Sequence, residues 1–483
     1  MLLDRRLLLK QVALLATAPA LSRAAEPPAV TDSRKADYTL RIAIGLVELS
    51  PEHIVSTTLY NGQFPGPLLR FKEGQQVLID IHNDTDTPEL VHWHGQMIPS
   101  SVDGAAEEGS PYVPAHGMRR IALIPRPPGF RFYHTHVVAE GDLSRGTYTG
   151  QAGPVYIEPT HNPGAYDREV FLVMKEFLPT FSRGGDTAMD ALAGAALPVL
   201  KQMGAAADAQ AKTKTKGLEV GYELFAINGR MLGHGEPVKV KQGERVLFHV
   251  LNASATEIRG LALPGHTFRV IALDGNPVPT PAEVPVLWLG TAERVSAIVE
   301  MNHPGVWVMG DLADDDRSHG MGIVLEYSGR QGKPQWVNPK PFRWDYTQFG
   351  KPGVFVPADE TMEFTIVKHN GARNAFNQWT LNGEAFSVRT MKPVYTLHQG
   401  RRYQLKFRNA SDDIHPLHLH RHSFELMRVA GRATSGVVKD VVMLGGFQEL
   451  EFAFVADNPG LTLFHCHQQL HMDFGFMALF KYA

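Results

Sequence analysis

Residues 463 to 477 read LFHCHQQLHMDFGFM. Cys466, the only cysteine in 483 residues, stands there between His465 and His467, with His471 following in the same stretch. Three other histidine groups occur: HWHG (His92, His94), HTH (His134, His136) and HPLHLH (His415, His418, His420). On a β-strand, residues two apart point to one side and the residue between them to the other. Each His-X-His therefore offers two imidazoles to one face. Four converging pairs would supply eight nitrogen ligands, enough for several ions and more than one zinc site uses. The same alternation turns Cys466 away from that cluster, toward a second site. One thiolate with two imidazoles, here Cys466 with His415 and His471, and a weak or absent axial contact, is the trigonal arrangement of a blue copper. An electron at the Cys466 sulfur is one peptide away from both His465 and His467, so the backbone itself joins the two sites.

The elements that must position these side chains are short strands. Past residue 36, runs rich in Val, Ile, Leu and Phe alternate with Gly, Pro and Asn clusters, the pattern of all-β sandwiches. A self-similar block occurs three times, LYNGQFPGPLLRFKEGQQVLIDIHN, FAINGRMLGHGEPVKVKQGERVLFHVLN and TLNGEAFSVRTMKPVYTLHQGRRYQLKFRN, ending on Asn83, Asn252 and Asn409. Its spacing predicts three sandwich domains at 38–160, 161–330 and 331–483. After Asn83 come His92 and His94, and at the same offsets after Asn409 come His418 and His420. After Asn252 the equivalent residues are Leu261 and Leu263. The outer domains thus carry the chemistry and the middle one is a spacer. Two departures are predicted: an Ala-rich helical or mobile excursion over 184–216, and a Pro- and Gly-rich strap from the second domain to the third over 331–357.

The remainder of the composition sets bounds. A formal charge of −3 with 43% hydrophobic residues is ordinary for a globular protein and suggests neither a nucleic acid nor an anionic membrane as partner. A single Cys excludes an intramolecular disulfide. Residues 1–25 begin with paired Arg5 and Arg6, continue with an apolar stretch too short to span a bilayer, and end in small residues. They resemble a twin-arginine signal, which implies export through the twin-arginine translocase and a mature protein that is periplasmic or secreted, without a membrane anchor.

The four motifs, in this order and in the first and last domains, resemble those of a three-domain multicopper oxidase of the laccase type, and the likeness covers essentially the whole mature chain. The spacing from Cys466 to His471 also resembles the C-terminal loop of cupredoxins. The resemblance implies three consecutive cupredoxin-like Greek-key β-sandwiches and four copper ions. It implies that His415, Cys466 and His471 bind a type 1 copper, that His92 and His418 bind a type 2 copper, and that His94, His134, His136, His420, His465 and His467 hold a type 3 pair. That uses ten of the 22 histidines; His422 and the rest are assigned core or surface roles. The implied activity is one-electron oxidation of four reducing equivalents at type 1, with dioxygen reduced to two waters at the trinuclear cluster. The implied assembly is a monomer.

Several positions depart from the family pattern. Many bacterial relatives place Met ten residues after the cysteine, where this chain has Phe476, with Met477 next. Phe476 leaves the type 1 site without a thioether, which favours Cu(I) and raises the potential. Relatives often have Glu after the last histidine, where this chain has Met472 and then Asp473. Asp103, at the position where relatives carry a functional acid, is the expected proton relay, with Asp473 as a second candidate. Asp412 and Asp413, just before His415, are candidates to accept a phenol proton or to hold a metal ion. The 16 methionines are scattered, with Met189 and Met203 alone in the excursion. Phenols or aromatic amines therefore rank above Cu(I) or Fe(II) as reductants. A noncatalytic protein of the same fold, as some periplasmic cell-division factors are, is the contrasting reading; such proteins have lost copper ligands, and this chain has lost none.

Overall fold

The computed structural model describes residues 32–160, 165–182 and 217–483. The N-terminal leader and the 184–216 excursion lie outside these residues. No helix among the described residues is long and apolar enough to cross a membrane.

The chain is nearly all β, as expected. In the first sandwich, a sheet ordered His53–Tyr60, Tyr38–Ser50, Val77–Asn83, Gly117–Leu123 faces another ordered Leu69–Lys72, Ala152–Glu158, Gly129–His134, His92–His94. The first of these strands in sequence runs parallel to Val77–Asn83, with Tyr38 beside Ile79, so the chain crosses over rather than meanders. The second sandwich pairs a six-stranded with a five-stranded sheet, and the third a seven-stranded with a five-stranded one. The same parallel pairing recurs in each, Arg168–Ser182 beside Arg245–Asn252 and Glu360–Arg373 beside Arg402–Asn409. Buried apolar residues of the second and third sandwiches form one continuous cluster, the first has a core cluster of its own, and a further cluster joins the first to the second.

The repeated sequence block has a local physical meaning. Its Asn-Gly pairs, Asn61-Gly62, Asn228-Gly229 and Asn382-Gly383, all have positive φ at both residues, the conformation of a type I′ turn that Asn and Gly tolerate best. Its closing asparagines pin the next loop. Asn83 donates to the carbonyl of Thr87 and accepts from the Thr85 amide. Asn252 donates to the carbonyls of Glu257 and Leu289 and accepts from the Ser254 amide. Asn409 donates to the carbonyls of Asp413 and Gly445 and accepts from the Ser411 amide. Each loop then delivers a strand: His92–His94, Arg259–Ala262 or His415–Leu419. In the middle sandwich the residues at the histidine offsets, Leu261 and Leu263, are simply core.

Across the strands the register brings the motifs together. His92 lies opposite His134, and His418 opposite His465. Leu417 lies opposite Cys466, which puts the thiol and the two flanking imidazoles on opposite sides of the sheet.

Asn252→Ala tests the role of the pinning asparagine in the sandwich that carries no histidine pair. It strips two buried carbonyls of their donor and should cost about 1–3 kcal/mol, read as a lower urea midpoint for the unfolding of that sandwich. An unchanged midpoint would contradict the assignment.

Candidate metal centre

Cys466 ends the strand Thr462–Cys466, and His471 lies on the one-turn helix Gln469–Asp473 that follows it. His415 begins the neighbouring strand His415–Leu419. Their ligand atoms form a closed trio: Sγ is 3.6 Å from His415 Nδ1 and 3.5 Å from His471 Nδ1, and the two nitrogens are 3.1 Å apart. Trp379 packs on the His471 ring at 4.0 Å between centroids. The Phe476 ring lies 4.9 Å from that of His415 and shares the apolar cluster of Cys466. Met477 packs instead with Ala105, Phe386, Leu463 and Met472. A thioether is therefore directed away from the trio. Burial pushes the Cys466 thiol up, so a cation entering the trio displaces a proton.

On the other face, His92, His94, His134, His136, His418, His420, His465 and His467 converge, all buried. Most of these rings have one nitrogen committed to an oxygen. His92 Nδ1 donates to the carbonyl of Asp103, His418 Nδ1 to that of Asp440, His134 Nδ1 to that of Thr135 and His465 Nδ1 to that of Cys466. His420 Nδ1 donates to Asp103 Oδ2 and His94 Nε2 to Asp440 Oδ1. The nitrogens left over face one another. His420 Nε2 and His465 Nε2 are 2.9 Å apart, and His94 Nδ1 and His134 Nε2 are 3.4 Å apart. Among the described residues, His92 Nε2, His418 Nε2 and both nitrogens of His467 have no hydrogen-bond partner.

Electrostatics closes the argument. Burial, followed by the neighbouring imidazoles, holds His94, His134, His418, His420, His465 and His467 well below the ordinary histidine range, and His136 falls to about 3 for the same reasons. The rings are thus neutral, and bare lone pairs meet at hydrogen-bonding distance with no proton between them. Cations resolve that arrangement. Three of the triads that could hold a metal are His92, His94 and His134; His92, His418 and His420; and His136, His420 and His465. Soft sulfur with nitrogen in the trio and all-imidazole donors in the cluster both suit copper.

The acids divide. Asp103 sits under the cluster, with Oδ2 2.9 Å from His420 Nδ1 and 3.1 Å from His92 Nδ1. Glu108, which sequence reasoning passed over, lies 3.5 Å from His420 Nδ1 and accepts the Leu463 amide. Burial and then the Asp103 carboxylate push Glu108 well above the ordinary range. Its only sequence signal is its place in the stretch VDGAAEEG, where paired glutamates read as a solvated loop. Asp473 reaches no cluster histidine; it accepts from the Ala139 and Glu140 amides and from Gln469, and burial pushes it up to about 7. Its place at the end of the short helix aims it at the loop after HTH instead. Asp413 is 2.9 Å from Lys368 Nζ, and Asp412 and Glu219 are each 3.8 Å from it. Burial raises Asp413, but the Lys368 ammonium outweighs it and holds the carboxyl below its usual value. Lys368, a lone lysine, has no signature in the sequence. His422 stays outside the cluster, bonded to the Tyr482 hydroxyl at 2.7 Å.

Comparison with known proteins gives the class. Three family models described as multicopper oxidase match residues 44–162, 202–326 and 355–483. The chain belongs to the multicopper oxidase family, whose members use copper cofactors. It is 28% identical to multicopper oxidase MmcO of Mycobacterium tuberculosis, covering 89% of this chain and 84% of that protein. It is 23% identical to Laccase-2 of Fomitopsis schrenkii, covering 88% and 86%. Among solved structures it resembles the multicopper oxidase from Campylobacter jejuni, described as a metallo-oxidase, with a TM-score of 0.68 at 19% identity, covering 94% of each chain.

Cys466→Ser should remove the intense thiolate-to-copper absorption of the loaded protein while changing stability by no more than about 1–2 kcal/mol, since no sandwich depends on that thiol for closure. A copper-loaded variant that kept the band would contradict the trio.

Proposed function

We propose that the protein is a laccase-like oxidase holding four coppers, with phenols or aromatic amines as reductants and dioxygen as acceptor. His415, Cys466 and His471 would hold the type 1 ion, His92 and His418 the type 2 ion, and His94, His134, His136, His420, His465 and His467 the type 3 pair. Copper bound there supplies one-electron redox at the trio and the place where dioxygen takes four electrons and four protons to give two waters. The observation that carries the reading is the position of Cys466. Its sulfur closes the trio while its two chain neighbours point into the cluster, and its carbonyl accepts from His465 Nδ1 at 2.9 Å. The backbone is thus the electron path. Asp103 and Glu108 stand beside His420, and we assign them as the relay for the protons that dioxygen reduction consumes. With the Phe476 ring beside His415 and Met477 packed elsewhere, no thioether would reach a copper held in the trio, and we assign it a high potential.

The substrate reading rests on Lys368. Asp412 and Asp413, just before His415, together with Glu219 already surround its ammonium. A Cu(I) or Fe(II) ion seeking the Asp413 carboxylate must displace the Lys368 ammonium that holds it at 2.9 Å, whereas a neutral phenol needs no such exchange. Asp413 Oδ2 is buried, with no hydrogen-bond partner among the described residues, so Asp412, with a side chain 72% exposed, is the carboxylate we assign to accept a phenol proton as the electron leaves. Single-chain function as a monomer, and export by the twin-arginine route to the periplasm or beyond, complete the proposal.

Dioxygen uptake by the copper-loaded protein should be faster with a methoxyphenol than with Cu(I). Lys368→Met should raise turnover of Cu(I) several-fold, because a unit charge at about 4 Å is worth roughly 1 kcal/mol even in water. Faster uptake on Cu(I) by the unmodified protein would move the reading to a metal oxidase. Loaded copper with no uptake on either donor would move it to a noncatalytic role.

A further inference from the structure

The middle sandwich contributes no histidine pair, yet it reaches the back of the cluster. Asp440, in the third sandwich, touches two cluster rings: its side chain accepts from His94 Nε2 at 3.1 Å and its carbonyl from His418 Nδ1 at 2.7 Å. Arg294, from the middle sandwich, grips the same carboxylate with both terminal nitrogens, at 2.7 and 2.6 Å. Arg131, from the first sandwich, adds a third contact at 3.1 Å. Asp274, again from the middle sandwich, accepts the Asp440 and Val441 amides at 3.2 and 3.1 Å and the Lys439 ammonium at 2.9 Å. The side chains of Asp440, Arg294, Arg131 and Asp274 are all fully buried.

We propose that Asp440 is a positioning residue for the cluster, and that the middle sandwich serves as its clamp through Arg294 and Asp274. The chemistry is one of ring orientation. His94 is the ring of its motif that turns Nδ1 toward the cluster, with Nδ1 3.4 Å from His134 Nε2. Only an acceptor at Nε2 keeps the proton off Nδ1, and the Asp440 carboxylate is that acceptor. A carboxylate free to rotate would also hydrogen-bond elsewhere; the two-pronged Arg294 contact fixes its plane. Burying this many charges gives no assured gain in stability, so a need for fixed geometry accounts for the set better than a stabilising role does.

Gly95 supplies an independent observation. It is the last residue of HWHG, with φ of +75°. A Cβ there would lie 2.5 Å from Asp440 Oδ2 and 2.8 Å from the nearer Arg294 terminal nitrogen. The carboxylate and guanidinium occupy the space that any other residue would fill. The glycine next to the histidine pair is therefore read as room for the clamp.

This inference rests on the copper reading of the cluster, and the test separates the two. Copper content of the full chain is followed during challenge with a chelator, together with the visible thiolate band and the far-ultraviolet circular dichroism. Asp440→Asn presents an amide N–H to His94 or loses the Arg294 grip. It should lose cluster copper about 10–100-fold more readily than the unmodified protein, while the thiolate band and the fold persist. Arg294→Met should show the same selective loss, with Arg294→Lys nearer the unmodified protein. If Asp440→Asn fails to fold, the Arg294 pair decides the question. Cluster copper as tightly held in Arg294→Met as in the unmodified chain, or loss from the trio and the cluster in equal measure, would overturn the clamp. An unmodified protein that takes up no copper at the cluster would instead overturn the reading of the site.

Discussion

Neutral imidazole nitrogens buried face to face are the constraint on which the rest of the structure depends. Two bare lone pairs at 2.9 Å, those of His420 and His465, are a repulsive contact in the absence of a cation. A similar contact at 3.1 Å joins His415 and His471 beside the thiol. Where the opposite nitrogen of a ring is committed to an acceptor, its proton is held outward and the site stays open. The backbone carbonyls of Asp103, Thr135, Asp440 and Cys466 do this for four rings. The carboxylates of Asp103 and Asp440 do it for His420 and His94. Burial then prevents protonation of the rings from solvent.

Strand alternation converts this local chemistry into a wired pair of sites. Cys466 belongs to the trio because His465 and His467 belong to the cluster; one register sets both. A slip by one residue would exchange the faces and destroy the two sites together. The pinning asparagines and the positive-φ Asn-Gly turns stand against such a slip, and they do so in all three sandwiches, including the one without metal-ligating pairs.

The parts legible in the sequence were those with a period or a rare residue. Alternation and the repeated Asn blocks announced the strands, and the lone cysteine among paired histidines announced the two centres. The rest depended on long-range contacts. Glu108 looks like half of a solvated glutamate pair until the fold buries it against Asp103. Lys368 and Asp440 carry no local signature; each acquires its role from residues that fold to it from 45 or more positions away, Asp413 for the first and Arg294 for the second. Asp473, chosen for its place after His471, points to the backbone of Ala139 and Glu140 because a one-turn helix rotates it off the cluster. The middle sandwich, a spacer by its leucines, holds the arginine and aspartate that grip Asp440.

Metal analysis of the reconstituted protein, with electron paramagnetic resonance of the same sample, tests the central claim most directly. The account predicts four coppers per chain, half of them visible in the spectrum, one with the narrow hyperfine splitting of a thiolate site and one with the ordinary splitting of a nitrogen site, and the remaining pair silent. One copper per chain, or a full complement without the silent pair, would contradict it.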